Sequence, residues 1–198
     1  MQQTLFGGGA PRFNSELKGI RHLELSSGAW VEHQPGWLEG HEGLFRELQC
    51  STRWLQQRRT MYEREVAVPR LVARAPLESP VGGVLENLAV FLARRYQRAF
   101  SNISVAQYRD GRDSVAFHGD KVGRLSNDCV IATVSVGARR RFLLKPRGGG
   151  SSLAFELGWG DLFVMGGTCQ QTWQHAVPKC THADPRISIM FRPPLAID

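Results

Sequence analysis

The amino-acid sequence predicts a mainly β fold of the α+β type, in which a sandwich or jelly roll of short strands follows a more helical front half. After Phe100, runs rich in β-branched and aromatic residues alternate with glycine-rich turns. The runs are 103–108, 115–117, 130–136, 141–144, 153–157, 162–165 and 187–191. Short strands in this number bury their apolar faces best as two packed sheets.

Helical periodicity is confined to the front half of the chain. Residues 35–57 have apolar side chains at roughly helical spacing. The clearer helix follows Ser79-Pro80, where one stripe of apolar residues opposes an arginine-rich side. We therefore predict three regions within one compact domain: a flexible N-terminus at 1–14, an extension with helices at 15–100 and a β core at 101–198.

The composition is that of an ordinary globular domain of 198 residues. No apolar run approaches the ~18 residues of a membrane span, and the N-terminus lacks the charged-then-apolar order of a secretory signal. We therefore expect a cytoplasmic protein without a membrane span; we also expect a monomer. The four cysteines form no CxxC pair, so we expect free thiols in a reducing compartment.

Arginine supplies most of the excess positive charge. Lysine and arginine together number 25 against 18 aspartates and glutamates, which gives a formal net charge of +7. Arginine clusters lie at 53–70, 94–98 and 139–141, with Trp54 and Tyr62 within the first. A basic surface with interleaved aromatic residues suits a polyanion such as nucleic acid. The alternative is that these arginines are solvated and have no partner.

Three residues could hold a metal ion. His118 and Asp120 follow a strand-like run and are two residues apart, so in an extended backbone they point to the same side. His175 precedes the strand-breaking Pro178 and could supply a third ligand. Two imidazoles and one carboxylate on one face of an octahedral ion leave the opposite face open, which suits iron(II) oxygenases. The alternative for the His118-Asp120 pair is an ordinary hydrogen-bonded pair.

A strand near the C-terminus carries two arginines on one face. Arg186, Ser188, Met190 and Arg192 alternate with apolar residues, so one face would lie against the core. A guanidinium inside a barrel is costly unless a carboxylate meets it, and a dicarboxylate such as 2-oxoglutarate would be a suitable partner. The alternative is that Arg192 lies near the strand end and reaches water.

The segment from Tyr108 to Arg192 resembles the AlkB family of iron(II)- and 2-oxoglutarate-dependent dioxygenases. The matching segments are Tyr108-Arg109-Asp110-Gly111, His118-Gly119-Asp120, 131–137 followed by Arg141-Phe142, Gly160-Asp161-Leu162, Trp173-Gln174-His175 and 186–192. Val68-Pro69-Arg70 and the preceding Met61-Tyr62 match more loosely in the front half. The resemblance implies a double-stranded β-helix core and a nucleotide-recognition lid within 15–100. It also implies oxidative removal of N-alkyl groups from nucleobases of DNA or RNA.

The resemblance also implies a role for each matching residue. The iron(II) ligands, which are also the catalytic residues, would be His118, Asp120 and His175. The cosubstrate 2-oxoglutarate would be held at its distal carboxylate by Arg186 with help from the Tyr108 hydroxyl, while Arg192 would lie near its iron-bound end; O₂ is the second cosubstrate. The substrate would be contacted by Met61, Tyr62, Arg70 and Val122.

Three positions depart from the DNA-repair members of the family. Ala106 stands where an asparagine usually helps to hold the cosubstrate, and Lys121-Val122-Gly123 lacks the carboxylate that usually reads the base amine. Arg74-Ala75-Pro76 stands where some members have a lid aromatic. Two alternatives therefore stay open: an oxygenase of the same scaffold acting on a small molecule, lipid or peptide, and a metal-binding jelly roll without turnover.

Two shorter patterns are less specific. Gln2-Gln3-Thr4-Leu5-Phe6 resembles the Q-x-x-L-F peptides with which bacterial repair proteins dock on the sliding clamp, although five residues also match by chance. Cys169, Cys180 and His182 surround His175 in sequence but follow no zinc-binding spacing. We therefore expect free thiols and a loop histidine there.

Overall fold

The computed structural model describes residues 11–61, 64–120 and 128–194, with side chains described for all of these except 57–61 and 64–67. Two antiparallel sheets dominate the fold. The strands of the larger sheet, in spatial order, are β2 (Arg21–Glu24), β3 (Ala29–Gln34), β12 (Asp161–Gly167), β9 (Ile131–Gly137), β14 (Arg186–Arg192), β7 (Asn102–Tyr108), β6 (Arg64–Arg74) and β5 (Leu55–Met61). Those of the smaller sheet are β11 (Leu153–Leu157), β10 (Arg140–Pro146), β13 (Trp173–Val177) and β8 (Val115–His118).

The remaining elements are short strands and helices. A two-stranded pair is formed by β1 (Arg12–Phe13) and β4 (Leu38–Glu39), and the helices are α1 (His41–Ser51), α2 (Gly82–Tyr96) and α3 (Cys169–Thr172), besides a 3-10 turn at Ser26–Gly28. Within the described ranges, we find no helix that is both long and apolar enough to cross a membrane.

The predicted mainly β fold is confirmed. Each of the seven runs proposed after Phe100 overlaps a strand, and the helix proposed after Ser79-Pro80 is α2. Strands from the front half of the chain complete the larger sheet, since β2 and β3 extend one edge and β5 and β6 the other. The four cysteines are free thiols, as expected.

The prediction of a helix across residues 35–57 is wrong at both ends. The helix covers only His41–Ser51, and it is preceded by β4 and followed by β5. Trp37 and Leu38, whose spacing suggested a helix, are instead buried from a turn and a strand at 1% exposure. Thr52 caps the C-terminus of this helix, and its extended backbone leads towards β5. The apolar residues of this turn and strand therefore happened to lie at a helical spacing, although they are buried outside the helix.

The alternation along β14 separates two apolar cores. Ile187, Ile189 and Phe191 pack with α1, α2 and the outer face of the larger sheet. Residues of the opposite parity face the space between the two sheets, where aromatic and sulfur-containing side chains such as Phe142 and Met165 form the second core. The strand therefore presents its apolar face to the helices and its arginines to the interior.

Removing a helix side chain from the first core tests this packing. Leu88 on α2 is 1% exposed, so Leu88→Ala is expected to lower the free energy of unfolding by about 2–5 kcal/mol through lost burial and an unfilled cavity. Leu77→Ala is the matched control, because Leu77 is 40% exposed and should cost much less. Urea unfolding of both variants measures the difference. Equal losses would contradict the placement of α2 on the sheet.

Candidate metal centre

Pairing of β8 with β13 brings the two candidate histidines together. His118 ends β8 and faces His175 in the register of the two strands, beside an irregularity between His175 and Val177. Their ring centroids lie 4.3 Å apart. Asp120 follows His118 by two residues, and donor atoms of all three side chains lie within 4.8 Å of one another. Among the described residues this is the one such group of three or more potential ligands, and Cys169, Cys180 and His182 do not form another.

Both imidazoles are oriented by their surroundings. The Nδ1 atom of His118 lies 2.9 Å from the carbonyl oxygen of Ala116, which favours the neutral tautomer with its proton on Nδ1 and a lone pair on Nε2. The His175 ring stacks on Phe142, with centroids 5.4 Å apart and 18° between the planes. A metal ion would therefore meet two imidazoles whose rotation is already restricted.

The loop that carries Asp120 is docked on α3. The backbone N–H of Asp120 donates to Oε1 of Gln170 at 2.9 Å, and Gln170 is 1% exposed. A Cβ atom on Gly119 would lie 2.7 Å from the Gln170 carbonyl oxygen and 2.5 Å from Nη2 of Arg147. Only glycine fits between the two ligands without displacing the α3 backbone. Because α3 leads directly into β13, one short turn ties Asp120 to the strand of His175.

The electrostatics keep Asp120 and His175 in metal-binding protonation states. Burial favours the neutral acid, but Arg192, His175 and His118 together outweigh it and hold the pKa of Asp120 below its usual range. Burial lowers the pKa of His175 to about 3, although Asp120 opposes the shift. A carboxylate and a neutral imidazole are the forms that coordinate divalent metals. The N₂O donor set fits iron(II) with open positions for further ligands.

Arg186 is a buried cation that lacks a carboxylate among the described residues. It is 1% exposed, and its Nη2 donates to Ser135 Oγ at 2.6 Å and to Ser188 Oγ at 3.2 Å. Its Nε is buried and has no partner in the described structure. Burial lowers the pKa of Arg186 to about 10. An arginine that loses its water in this way needs an anion, and one carboxylate of 2-oxoglutarate fits that need.

Arg192 lies at the metal end of the same cavity. Its Nη2 donates to Oδ1 of Asp120 at 3.0 Å, and Nη1 donates to Oγ of Ser104. Its side chain is 14% exposed, so it is largely withdrawn from water. Arg192 thus pairs with the carboxylate of Asp120. Its contact with the cosubstrate, which the resemblance implies, stays a prediction.

Of the four predicted substrate residues, the structure places Arg70 at the cavity. Arg70 lines the cavity with the triad, and its Nη1 donates to the Tyr108 hydroxyl at 3.0 Å. Met61 ends β5, where only its backbone is described. Tyr62 and Val122 lie outside the described residues. Ala106, which replaces the expected asparagine, is fully buried on β7 opposite Ser188.

Several further residues shape the cavity, although the sequence did not assign them to the site. The wall includes Thr133, Phe142, Met165, Val177 and Met190. Gln170 stabilises the ligand loop although it lies fifty residues from Asp120 along the chain. No spacing rule joins residues this distant, so these contacts become visible only in the folded chain.

Comparison with known proteins points to one superfamily. The family model described as the 2OG-Fe(II) oxygenase superfamily matches residues 79–192, which is more than half of the chain. This match spans the triad and both arginines of β14. It confirms the expectation of an iron(II)- and 2-oxoglutarate-dependent scaffold that the residues had raised.

Individual relatives are AlkB homologues. Mouse alpha-ketoglutarate-dependent dioxygenase alkB homolog 3 is 34% identical over 119 residues, which cover 55% of this chain and 42% of the relative. The human protein of the same name is 33% identical over 119 residues with the same coverage. Mouse DNA oxidative demethylase ALKBH2 is 28% identical over 118 residues, covering 55% of this chain and 49% of the relative. The chain thus matches less than half the length of these three relatives.

A solved structure shows the same fold at low identity. The structure of OsALKBH1 superposes with a TM-score of 0.54 over 88% of this chain and 100% of that chain, at 14% sequence identity. This likeness supports the jelly-roll architecture. The resemblance to the AlkB family is confirmed by the sequence relatives above.

Removing the Gln170 side-chain amide is expected to weaken metal binding. In Gln170→Met the Asp120 N–H loses its acceptor while the buried volume stays similar, so affinity for Co(II) or Mn(II) should fall on the order of tenfold. Calorimetric titration of the metal-free protein measures this change. Gln49→Met is the matched control, since Gln49 is exposed on α1. Unchanged metal affinity in Gln170→Met would contradict the docking role of α3.

Acidification is expected to destabilise the metal-free protein partly through His175. An unfolded chain protonates this residue near its ordinary pKa of 6.5, whereas the folded chain does so only near about 3. The unfolded state therefore binds more protons between these values. The contribution of His175 to the free energy of unfolding is therefore fully present above pH 6.5. It is lost at a rate on the order of 1 kcal/mol per pH unit as the pH falls from 6.5 towards about 3.

Urea unfolding at several pH values compares the wild type with His175→Gln, whose pH dependence should be shallower in this window. His182→Gln, at an exposed position, serves as the control and should keep the wild-type slope. Parallel slopes for the wild type and His175→Gln would refute the depressed pKa.

Proposed function

Because the chain belongs to the 2OG-Fe(II) oxygenase superfamily, we propose that it uses iron(II), 2-oxoglutarate and O₂ to remove alkyl groups oxidatively from nucleobases of DNA or RNA. The observation that carries this proposal is one cavity that contains both a two-histidine, one-carboxylate triad and a buried arginine without a described carboxylate partner. A triad alone would suit many metal proteins. The added cation supports a dicarboxylate cosubstrate at the same ion.

Different residues of the chain would bind the metal and the cosubstrate. His118, Asp120 and His175 would hold iron(II), which together with 2-oxoglutarate and O₂ supplies the oxidising power to hydroxylate an N-methyl carbon. Arg186 would hold the distal carboxylate of the cosubstrate, and the Tyr108 hydroxyl would donate to it. Arg192 keeps Asp120 ionised and fixes its orientation.

The walls of the cavity would exclude water from the reaction. Phe142, Met165 and Val177 line it with apolar surface, and Phe142 also restricts the His175 ring. A hydroxymethyl group on nitrogen loses its carbon as an aldehyde without further help from the protein. Positioning and exclusion of solvent are therefore what these residues contribute.

Exposed aromatic side chains with neighbouring basic residues support a nucleic-acid substrate. Phe117 directly precedes His118 and is 38% exposed, and Nζ of Lys145 lies 6.0 Å from its ring centroid. Trp159 is 50% exposed with Arg139 at 4.3 Å from its ring. Ring faces can stack on bases while neighbouring cations meet phosphates. The net charge of +7 favours the same class of partner.

Three finer expectations stay predictions. Docking of Gln2-Gln3-Thr4-Leu5-Phe6 on a sliding clamp concerns residues outside the described ranges. The monomeric state and the cytoplasmic location likewise rest on the sequence alone. The proposed chemistry depends on none of the three.

The decisive test is demethylation of defined oligonucleotides. Protein with iron(II), 2-oxoglutarate and O₂ should remove one CH₂ unit per N-methylated base, as read by mass spectrometry, with one succinate formed per event. Asp120→Ala should lose at least about 99% of this activity because the ion loses its carboxylate. Asp184→Ala, at an exposed loop position, is the matched control.

Two other outcomes would reject the proposal in favour of an alternative. Succinate formation that metabolites or peptides stimulate, but methylated DNA and RNA do not, would indicate a different substrate on the same scaffold. Absence of succinate with every substrate class would indicate a metal-binding jelly roll without turnover.

A further inference from the structure

Arg70 enters the cosubstrate cavity from the strand β6. Its guanidinium lines the same cavity as the triad and Arg186, and its Nη1 donates to the Tyr108 hydroxyl at 3.0 Å. The preceding residue, Pro69, accepts a hydrogen bond from Ser114 N–H at 2.7 Å, and the following residue, Leu71, pairs with Gln107 of β7. The backbone on both sides of Arg70 is thus fixed against the core strands.

The hydrogen bond from Arg70 decides where the Tyr108 proton can go. A phenol has one hydrogen to donate, and its oxygen accepts through lone pairs. Arg70 occupies the oxygen as a donor, so the phenolic hydrogen needs an acceptor elsewhere. Three guanidiniums surround the Tyr108 ring, with Cζ atoms at 6.0 Å for Arg70, 5.5 Å for Arg140 and 5.4 Å for Arg186. None of the three can accept a hydrogen bond.

The three arginines differ in whether their guanidinium N–H groups have hydrogen-bond acceptors. Arg140 donates to the carbonyl oxygens of Asp110, Asp113 and Pro178 and is a structural residue. Arg70 and Arg186 each keep a buried Nε without a partner in the described part of the chain. A buried, unpaired donor on a cation is costly and indicates a missing anion.

We propose that Arg70 is a positioning residue for the dicarboxylate cosubstrate: it acts through the Tyr108 hydroxyl, whose hydrogen it directs to the distal carboxylate beside Arg186. This inference rests on the proposed use of 2-oxoglutarate and deepens it. It differs from the substrate role that the sequence resemblance implies for Arg70. It also has a structural consequence, because β6 is then attached to the cosubstrate through one side chain and should become more ordered when the dicarboxylate binds.

Binding of 2-oxoglutarate to the metal-loaded protein tests the role directly. Calorimetric titration is done on the Mn(II) form without O₂ and without nucleic acid. Arg70→Met should raise the Kd at least about tenfold, and Arg70→Lys, which keeps the charge, should raise it less. Arg74→Met is the matched control, because Arg74 is an exposed arginine on the same strand, and its Kd should stay within about twofold of the wild type. Mn(II) affinity should be unchanged in all three, which shows that the fold and the triad are intact.

Two further measurements ask whether Arg70 acts through Tyr108 and on β6. The Kd of the double variant Arg70→Met, Tyr108→Phe should lie within about threefold of the weaker single variant, since both changes remove one interaction. Hydrogen exchange of backbone amides in 68–74 should slow when 2-oxoglutarate binds to the wild type and should not slow in Arg70→Met. Multiplicative losses in the double variant, or equal slowing in both proteins, would overturn the proposal.

The outcome separates this inference from the proposed function. If Arg70→Met binds 2-oxoglutarate like the wild type but loses affinity for methylated oligonucleotides, Arg70 belongs to the substrate and the inference is wrong while nucleobase dealkylation stands. If 2-oxoglutarate binding depends on Arg70 but no oligonucleotide is demethylated, the inference stands and the nucleic-acid substrate is wrong.

Discussion

Excess positive charge inside the protein is the constraint on which the rest of the structure depends. Among the residues described around the cavity, Arg70, Arg186 and Arg192 face a single carboxylate, that of Asp120. Cations withdrawn from water are tolerated only where hydrogen bonds or anions compensate them. Arg192 takes the carboxylate, and the hydroxyls of serines and Tyr108 satisfy part of the other two guanidiniums. The cavity thus contains positive charge that no described carboxylate compensates. A metal-bound dicarboxylate would compensate it, so binding of the cosubstrate would also stabilise this part of the fold.

The strand β14 can carry these arginines because its two faces meet different surroundings. Its apolar face packs on α1 and α2 through the first core, and this packing anchors the strand whatever lies on the other face. Its polar face lies between the sheets, opposite the histidines of the smaller sheet. A one-residue slip in register would send both arginines into the helix core and the isoleucines to the metal site. The helical layer therefore has a functional consequence although none of its side chains lines the cavity.

The sequence predicted what depends on local periodicity and failed where distant segments meet. The strands after Phe100, the helix α2 and the facing of β14 follow from alternation and apolar stripes, and all three are found. The triad could be proposed because His118 and Asp120 share one short motif, with His175 added from a second. The helix proposed for 35–57 was too long, because buried residues in a turn and a strand happened to match a helical spacing. The contacts of Gln170 with Asp120 and of Arg70 with Tyr108 join residues 50 and 38 positions apart, and no local rule links them.

The close approach at Gly119 has a consequence for how this chain can evolve. As metal ligands, His118 and Asp120 would be constrained by coordination chemistry, whereas the residue between them is constrained by space. The obstacle is a backbone carbonyl of α3, which no side-chain change at Gln170 would move. A larger residue at this position therefore requires a shift of the turn that leads into β13 and hence of His175. If the two outer residues bind metal, all three positions of the motif resist substitution, and a change of the middle residue has to be accompanied by a change in α3.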